Sequence, residues 1–386
     1  MSDRVSSRLF VDTLTARGFG PYVGVPCSFL RPFIDYVIDR DDLSYVAATN
    51  EGEALALASG AQLAGRRPVV MLQNSGLGNL VNPLASLNYV FKIPVLIIVT
   101  LRGEPGKVDE PQHELMGRAT GDLLRLLAVE HAWFPSRDGD VVPAVDAALD
   151  HMQRTGLPFA FVLRKNVVTE YAPQPRVPAS PRAPGRLVAA VSSGPMLSRG
   201  EAIALIAEQA GEALIVATTG KTGRELFEYR DRPSHFYVVG SMGCASSLAL
   251  GVARESDQPV VVLDGDGAAL MRLEAMASIG DQAPPRLVHV ILDNASYEST
   301  GGQATVSTSV RFPEIAAACG YASACSVTGA EPLRAALQRA LGERGPHLIH
   351  VPVATSTDPS LGRPAVAPPD VARRFRDELA RRSARR

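Results

Sequence analysis

The stretch that decides the fold is VVVLDGDGAALMRLEAMASIGDQAPPRLVHVILDNASYESTGGQ, residues 260–303. It contains two apolar runs, 260–263 and 287–292, and each run ends abruptly in polar residues. A helical pattern lies between them. Continuous apolar runs of this length are typical of buried parallel strands, and the helix would make the crossover between them. The stretch therefore predicts an open α/β sheet, which binds its ligands at the carboxyl ends of the strands.

Two oxygen-bearing side chains lie just beyond these predicted strands. Asp266 follows the first strand and Asn294 follows the second, with 26 residues between Gly267 and Asn294. This spacing suits one crossover helix, so both side chains could reach one cation, and oxygen ligands suit Mg²⁺ or Ca²⁺. Gly265 and Gly267 would let the backbone approach a phosphate closely. The alternative is a turn that uses Asp and Gly only for its geometry, but the pairing with Asn294 favours a metal–diphosphate site.

Length and composition narrow the class of protein. With 386 residues the chain suits two domains, and 46% hydrophobic and 20% charged residues are typical of a soluble globular protein. A net charge of −1 gives no reason to expect a nucleic-acid partner. We see no apolar run suited to a signal peptide or a membrane span, and the four cysteines lack metal-site spacing. We therefore expect a cytoplasmic protein with reduced thiols and no membrane partner.

A proline-rich segment marks the expected domain boundary. Five prolines lie between residues 172 and 185, as in an extended linker. We predict a first domain over 1–172, a linker over 173–196, a second domain over 197–370 and a basic tail over 371–386. The seven arginines of that tail are interpreted as a solvated helix face.

The two halves contain copies of one pattern. Residues 55–76 align without a gap with residues 246–267, and eight of the 22 positions are identical. Each copy has a helix of small residues, a Pro-Val-Val strand and a glycine-containing turn, which predicts two domains of one fold. Chance similarity between alanine-rich segments is the alternative, and the matching order of elements argues against it.

The differences between the copies separate two functions. The second copy has Asp264-Gly265-Asp266 where the first has Gln73-Asn74-Ser75, so only the second offers carboxylates to a cation. The second copy has Met242 where the first has Glu51, which we place at a helix start. Glu51 and Met242 each have a simpler explanation, because a carboxylate stabilises a helix N-terminus and a methionine packs in a core.

The second half resembles thiamine diphosphate enzymes, in which GDG and a later Asn hold the Mg²⁺ that anchors the cofactor. Within that group the chain resembles the phosphonopyruvate decarboxylase family most closely and the sulfopyruvate decarboxylases next. The segments that carry this resemblance are GVPCSFL from Gly24, TNEGEA from Thr49, QNSGLGN from Gln73, RGEPG from Arg102, DEPQH from Asp109, TTGKTGRELFE from Thr218, GSMG from Gly240 and DNASYESTGGQ from Asp293. The resemblance implies two similar doubly wound parallel-sheet domains of the thiamine diphosphate-binding fold, without a middle domain. The first would bind the pyrimidine and the second the diphosphate and Mg²⁺.

The resemblance also implies roles for residues of the second domain. Asp266, Asn294 and the backbone carbonyl of Ser296 would bind Mg²⁺. Met242 would hold the cofactor in its bent form. Relatives outside the family often have Ser at position 268, and because Ala268 has no hydroxyl, it would contact the diphosphate only through its backbone N–H. The full set of expected cofactor contacts in this domain is Thr219, Gly220, Ser241, Met242, Gly265, Gly267 and Ala268.

In the first domain the resemblance implies that Glu51 hydrogen-bonds N1′ of the cofactor's aminopyrimidine and acts in catalysis. The implied reaction is the decarboxylation of phosphonopyruvate to phosphonoacetaldehyde and CO₂, in phosphonate biosynthesis. Candidates for binding the substrate's second anionic group are Ser28, Arg102, Lys107 and His113, and His113 is also a candidate for a catalytic role. Ser28 could equally cap the next helix, and charged loop residues are often merely solvated.

The expected partners are a small 2-oxo acid substrate and a second copy of the chain. The resemblance places each active site at a subunit interface of a homodimer or larger homo-oligomer. Sulfopyruvate decarboxylation, or another decarboxylation or carboligation that uses thiamine diphosphate, stays open as the activity.

Two other classes of protein are less well supported. A nucleotide-binding oxidoreductase would show G-x-G-x-x-G after a strand with a matching acid downstream, and we find no such pattern. A catalytically silent regulatory subunit would lack Glu51 or Asp266, and both are present.

Overall fold

A computed structural model describes residues 4–176, 182–355 and 361–384 of the chain. The chain divides into two compact units, residues 1–179 and 180–386, and the division falls inside the predicted linker. Each unit has one main parallel sheet, whose strands alternate with helices along the chain. The predicted α/β class with two parallel-sheet domains is confirmed.

The first unit contains a six-stranded sheet of entirely parallel strands, in the order β2-β1-β3-β4-β6-β5. Its strands are β1 (Phe19–Gly24), β2 (Tyr45–Ala47), β3 (Arg67–Gln73), β4 (Leu96–Thr100), β5 (Glu130–Trp133) and β6 (Phe159–Leu163). Its helices are α1 (Ser7–Ala16), α2 (Arg31–Ile38), α3 (Glu51–Leu63), α4 (Leu77–Pro83), α5 (Tyr89–Phe91), α6 (Glu114–Leu126) and α7 (Asp138–Thr155). Every residue of β4 and β6 is buried, which explains why these strands are continuous apolar runs.

The second unit has a longer sheet, in the order β10-β9-β11-β12-β16-β15-β7, and a separate two-stranded hairpin. Its strands are β7 (Arg186–Leu187), β8 (Val191–Ser192), β9 (Leu214–Ala217), β10 (His235–Tyr237), β11 (Val260–Gly265), β12 (Leu287–Asp293), β13 (Ser296–Tyr297), β14 (Gln303–Ala304), β15 (Ser323–Thr328) and β16 (His347–Pro352). Its helices are α8 (Arg199–Ala210), α9 (Lys221–Tyr229), α10 (Ala245–Glu255), α11 (Asp266–Met271), α12 (Ala275–Gln282), α13 (Phe312–Ala318), α14 (Ala330–Gly342) and α15 (Pro368–Ser383).

The two sheets repeat one topology. If β9, β10, β11, β12, β15 and β16 are matched in chain order to β1 to β6, both sheets have the strand order 2-1-3-4-6-5. The register repeats as well, since Val69 faces Leu96 in the first unit and Val260 faces Leu287 in the second. These pairs are related by the 191-residue offset of the sequence alignment. The prediction that the halves are copies of one fold is confirmed.

Two predicted details of secondary structure were wrong, and one strand was missed. Two helices, α11 and α12, connect β11 to β12 where one was expected, because the chain turns at 272–274. The polarity of the segment QNSGLGN, residues 73–79, favours a loop, yet Asn74–Gly76 is a 3₁₀ turn and α4 begins at Leu77. Strand β5 was not predicted, because it lies at the sheet edge and its sequence, EHAW, has no apolar run.

Both ends of the second unit contribute to its core fold. Part of the predicted linker pairs with β15, through β7 at Ser323–Ala324 and β8 at Val327–Thr328. The predicted basic tail lies mostly within α15, which buries Val371, Phe375 and Leu379. The solvated face predicted for this tail is therefore one side of a packed amphipathic helix. Among the described residues, no helix combines the length and apolar composition needed to cross a membrane.

Candidate active site

A cavity of about 290 Å³ lies at the carboxyl ends of β9, β11 and β12 in the second unit. Nine of the ten cofactor and metal residues predicted for this unit line it: Thr219, Gly220, Met242, Gly265, Asp266, Gly267, Ala268, Asn294 and Ser296. The tenth, Ser241, is buried just before Met242 and is not in the lining. The structure thus brings together residues that span almost 80 positions of sequence.

Strand register places the two predicted metal-binding side chains at one edge. Gly265 of β11 faces Leu292 of β12, so Asp266 and Asn294 both follow immediately after the paired region. Asn294 Oδ1 accepts the N–H of Ser296 at 3.0 Å, across a turn in which Ala295 has a φ of +54°. The turn therefore folds Ser296 back toward Asn294.

Asp266 is buried and accepts a hydrogen bond from the hydroxyl of Thr305. Burial, reinforced by the nearby charge of Asp293, raises the pKa of the Asp266 carboxyl above its usual value. A buried carboxylate that lines a cavity favours a cation there, because the cation would offset the loss of hydration.

Asp293 supports this edge and was missed as a site residue. Its carboxylate accepts the N–H of Ala295 at 2.9 Å and the hydroxyl of Ser307 at 2.8 Å, and it lies 3.0 Å from His350 Nε2. Burial opposes ionisation, but these hydrogen bonds prevail and lower the pKa of the Asp293 carboxyl. The charged side chain thereby fixes the turn that carries Asn294. Its position at the end of β12 was the sequence signal that could have identified it.

The cavity has two further features suited to a diphosphate. Thr218 is 3% exposed, and its hydroxyl has no hydrogen-bond partner among the described residues although the residue lines the cavity. An unsatisfied buried hydroxyl costs about 1–3 kcal/mol, which a ligand oxygen would recover. A Cβ at Gly267 would lie 2.4 Å from Tyr297 Cε1 and 3.2 Å from Met242 Cε, so only glycine fits there.

The carboxylate, amide and carbonyl oxygens of Asp266, Asn294 and Ser296 suit Mg²⁺.

A cluster of buried and half-buried charges borders the same cavity and was not predicted. Arg199 is 6% exposed and donates two hydrogen bonds of 2.8 Å to Glu225. Its Nη1 also lies 2.9 Å from a carboxylate oxygen of Glu298, and Lys221 Nζ lies 3.5 Å from the same oxygen. Helices α8 and α9 are thus joined by ion pairs to Glu298, in the loop between β13 and β14.

In the first unit, Glu51 is the first residue of α3, as predicted. Its Oε2 accepts a hydrogen bond of 2.7 Å from Asn79 Nδ2. The helix start is fixed by Asn50, whose side chain accepts the N–H of Glu53 at 3.0 Å. A Cβ at Gly76 would lie 2.1 Å from Glu51 Oε1, so the glycine leaves the space that the carboxylate occupies.

Met242 occupies the equivalent place in the second unit, but not at a helix start. Helix α10 begins at Ala245, because Ser241 and Gly243 have φ values of +48° and +88° that no helix contains. The expected match of helix starts was therefore wrong. The contact is nevertheless preserved, since Met242 approaches Gly267 as Glu51 approaches Gly76, and both pairs are related by the same offset.

The residues predicted to bind the substrate's anionic group lie in the first unit. Arg102 Nε donates to Asp109 at 2.8 Å, and its guanidinium lies 5.1 Å from the centre of the Phe29 ring. The hydrogen bonds from Arg102 lower the pKa of Asp109, so this pair stays charged. Lys107 is exposed and lines a cavity of about 360 Å³ whose lining contains four acidic residues but not Arg102.

The other two candidates differ in burial. His113 is 7% exposed, and its Nδ1 has no hydrogen-bond partner among the described residues. Its backbone carbonyl packs against Gly103, beside Arg102, where a Cβ would approach to 2.1 Å. Ser28 is exposed and does not cap α2, whose N-cap is Leu30. Of its two possible roles, helix capping is therefore excluded.

Comparisons with known proteins agree with this arrangement. Residues 5–120 match the family described as the thiamine pyrophosphate enzyme N-terminal TPP-binding domain, and residues 218–351 match the corresponding C-terminal domain. A phosphonopyruvate decarboxylase of Streptomyces viridochromogenes is 45% identical over 368 residues, which cover 94% of this chain and 92% of the relative. A sulfopyruvate decarboxylase of Methanosarcina acetivorans is 28% identical, over 96% of each chain.

A solved structure shows the same fold. The thiamine diphosphate-dependent 4-hydroxybenzoylformate decarboxylase of Rhodococcus jostii RHA1 superposes with a TM-score of 0.73 at 17% identity, over 91% of this chain and 99% of that one. The two cofactor-binding domains and the high identity along nearly the whole chain lead to one assignment. The protein belongs to the phosphonopyruvate decarboxylase family of thiamine diphosphate-dependent decarboxylases.

Proposed function

We propose that this protein converts phosphonopyruvate to phosphonoacetaldehyde and CO₂, with thiamine diphosphate and Mg²⁺, as a cytoplasmic step of phosphonate biosynthesis. The observation that carries the proposal is the 45% identity to a relative of that name, sustained through both cofactor-binding domains. When bound, thiamine diphosphate supplies the nucleophilic carbon and accepts the electron pair that CO₂ leaves behind.

The second unit would hold the metal and the diphosphate. Asp266, Asn294 and the carbonyl of Ser296 supply three oxygens for Mg²⁺, which commonly takes its other ligands from phosphate and water. The buried hydroxyl of Thr218 and the backbone at Gly267 are available to the diphosphate on the same side. Thr219, Gly220, Ser241, Met242, Gly265 and Ala268 complete the proposed cofactor contacts.

The first unit would supply the acid–base group and the substrate contacts. Glu51, oriented by Asn79, would hold a proton against N1′ of the pyrimidine. Asp109 occupies Nε and Nη2 of Arg102, which leaves the two N–H donors of Nη1 outside that pair for a phosphonate oxygen. We assign Ser28, Lys107 and His113 to the same subsite, and His113 is also the proposed catalytic residue there, because a ring nitrogen of imidazole can donate or accept a hydrogen bond.

A second copy of the chain completes the proposed active site. Glu51 and Asp266 belong to different units, and the family resemblance pairs the pyrimidine domain of one subunit with the diphosphate domain of another. The working enzyme would therefore be a homodimer or a larger homo-oligomer.

The metal site leads to the first prediction. Asp266→Ala and Asn294→Ala should each weaken Mg²⁺-dependent binding of thiamine diphosphate by at least about 100-fold, because losing a ligand costs more than losing an outer partner. Isothermal titration calorimetry measures the affinity, and Asp281→Ala, at an exposed aspartate of the same unit, is the matched control. Affinity like that of the wild type in either site variant would exclude this metal site.

The second prediction concerns Glu51. Glu51→Gln should bind the cofactor normally, since the diphosphate provides most of the anchoring, yet lose about 10²–10⁴-fold in turnover as acid–base help disappears. Proton–deuterium exchange at C2 of the cofactor should slow with it, whereas Glu130→Gln, at an exposed glutamate, should change neither. Unchanged exchange in Glu51→Gln would mean that another group activates the cofactor.

The third prediction tests the subunit arrangement. Mixing inactive Glu51→Gln and Asp266→Ala chains should restore roughly a quarter of wild-type activity if the enzyme is a twofold dimer that exchanges subunits at random. Half of the dimers would then be mixed, and each mixed dimer would contain one intact site. If mass spectrometry confirms mixed dimers that have no activity, each site must be formed within one chain.

The fourth prediction is the order of substrates. The second charge of a phosphonate should favour phosphonopyruvate over sulfopyruvate by about tenfold or more in kcat/KM, because charge-assisted hydrogen bonds are at stake. Pyruvate and benzoylformate, which lack this anionic group, should react more slowly still. Faster turnover of pyruvate or benzoylformate would refute the substrate assignment, and a preference for sulfopyruvate would transfer it to that compound.

A further inference from the structure

The hairpin β13–β14 has a very short ladder, although hydrogen bonds within its loop and at its base add to it. Its two strands pair only at Ser296 with Ala304 and at Tyr297 with Gln303, and residues 299–304 are exposed. Two-stranded hairpins are at best marginally stable in water, and one with a two-residue ladder cannot fix its own orientation. Contacts outside the hairpin must therefore determine where it lies.

Glu298 provides such a contact. Although its neighbours Ser299 and Thr300 are exposed, the Glu298 side chain is only 8% exposed because it reaches down to Arg199, at 2.9 Å, and to Lys221, at 3.5 Å. The Arg199 side chain is 7% exposed, so solvent screens this ion pair far less than a pair at the surface. Withdrawing Glu298 would remove one of the two carboxylates that pair with the buried Arg199, and also the carboxylate beside Lys221, and this cost keeps the hairpin in place.

The same hairpin forms one wall of the cavity at the carboxyl ends of β9, β11 and β12. Ser296, Tyr297, Glu298, Ser299 and Thr300 all line that cavity, as do Arg199 and Lys221. Any movement of the hairpin would therefore alter the cavity and displace Ser296. Tyr297 of the hairpin also packs close to Gly267, and both residues line the cavity.

We infer that Glu298 is a positioning residue: its pairing with Arg199 and Lys221 holds the hairpin of residues 296–304 against the cavity. It thereby fixes the Ser296 carbonyl and sets the rate at which a diphosphate ligand leaves. The statement about the ligand rests on the proposed function, but the tethering of the hairpin does not.

The cluster provides a matched control, because Arg199 has a second carboxylate partner on a different element. Glu225 lies on α9 and makes two hydrogen bonds to Arg199. Glu298→Gln and Glu225→Gln each remove one negative charge from the same arginine, but only the first loosens the hairpin. In Glu298→Gln, Arg199 keeps its bidentate partner, so the fold should survive the substitution.

The first test uses the full chain without ligands. Amide hydrogen exchange, followed by mass spectrometry, should accelerate at least about tenfold in a peptide covering 296–304 in Glu298→Gln, because local opening becomes easier. The same peptide should exchange as in the wild type in Glu225→Gln, even if thermal unfolding begins earlier. Unchanged exchange in Glu298→Gln, or equal acceleration in both variants, would refute the tether.

The second test uses the holoprotein loaded with thiamine diphosphate and Mg²⁺. Release of labelled cofactor into excess unlabelled cofactor should be about tenfold faster in Glu298→Gln than in Glu225→Gln, while turnover per bound cofactor changes less. A loosened hairpin with an unchanged release rate would refute the control of ligand release. Failure of the wild type itself to bind the cofactor would instead refute the proposed function, without affecting the exchange result.

Discussion

The parallel pairing of β11 with β12 in a single register is the constraint on which the cavity depends. Gly265 faces Leu292, so the polar turns that follow both strands emerge at the same edge of the sheet. Side chains alternate between the faces of a strand, and a slip of one residue would turn every apolar side chain of β12 to the other face. Residues 287–292 are buried on both faces of the strand, so a slip would require both faces to repack, and close packing of the interior opposes this. The positions of Asp266 and Asn294 are therefore determined by the packing of apolar residues, of which only Leu292 lines the cavity among residues 260–263 and 287–292.

The repeat shows how one scaffold serves two chemical purposes. A glycine at the same place in each unit, Gly76 or Gly267, leaves room for the side chain that approaches it. That side chain is the carboxylate of Glu51 in the first unit and the thioether of Met242 in the second. The contact persists although α3 begins at Glu51 and α10 begins only at Ala245. The geometry is thus conserved where the backbone is not, and one residue decides whether the position presents a carboxylate or an apolar thioether.

The sequence predicted those features that local patterns encode. Apolar runs identified the buried strands, and the polar residues at their ends identified Asp266 and Asn294 in the cavity lining. Most of the other expected lining residues came from the family resemblance. Edge strand β5 escaped because an exposed strand needs no apolar run. The ion pairs of Arg199 were not predicted for a different reason. Arg199 and Glu298 lie far apart in the chain, and in the sequence each resembles a solvated surface charge. Nor could spacing alone reveal that Asp109 neutralises Arg102. Long-range pairing of charges leaves no periodic signal, and only the folded chain shows it.

The short strands that follow the proline-rich segment have a consequence for dividing this protein. β7 and β8 cover successive parts of β15, whose outer N–H and C=O groups would otherwise face water without a partner. Bare strand edges recruit other chains and promote aggregation. A recombinant fragment that starts after residue 192 would thus expose the unpaired edge of β15, whereas one that starts before Arg186 would keep β7 and β8 paired with that edge. The segment between the halves therefore connects the two units and also protects the sheet edge of the second unit. A protease cut in it leaves that edge covered only if the cut lies on the N-terminal side of β7.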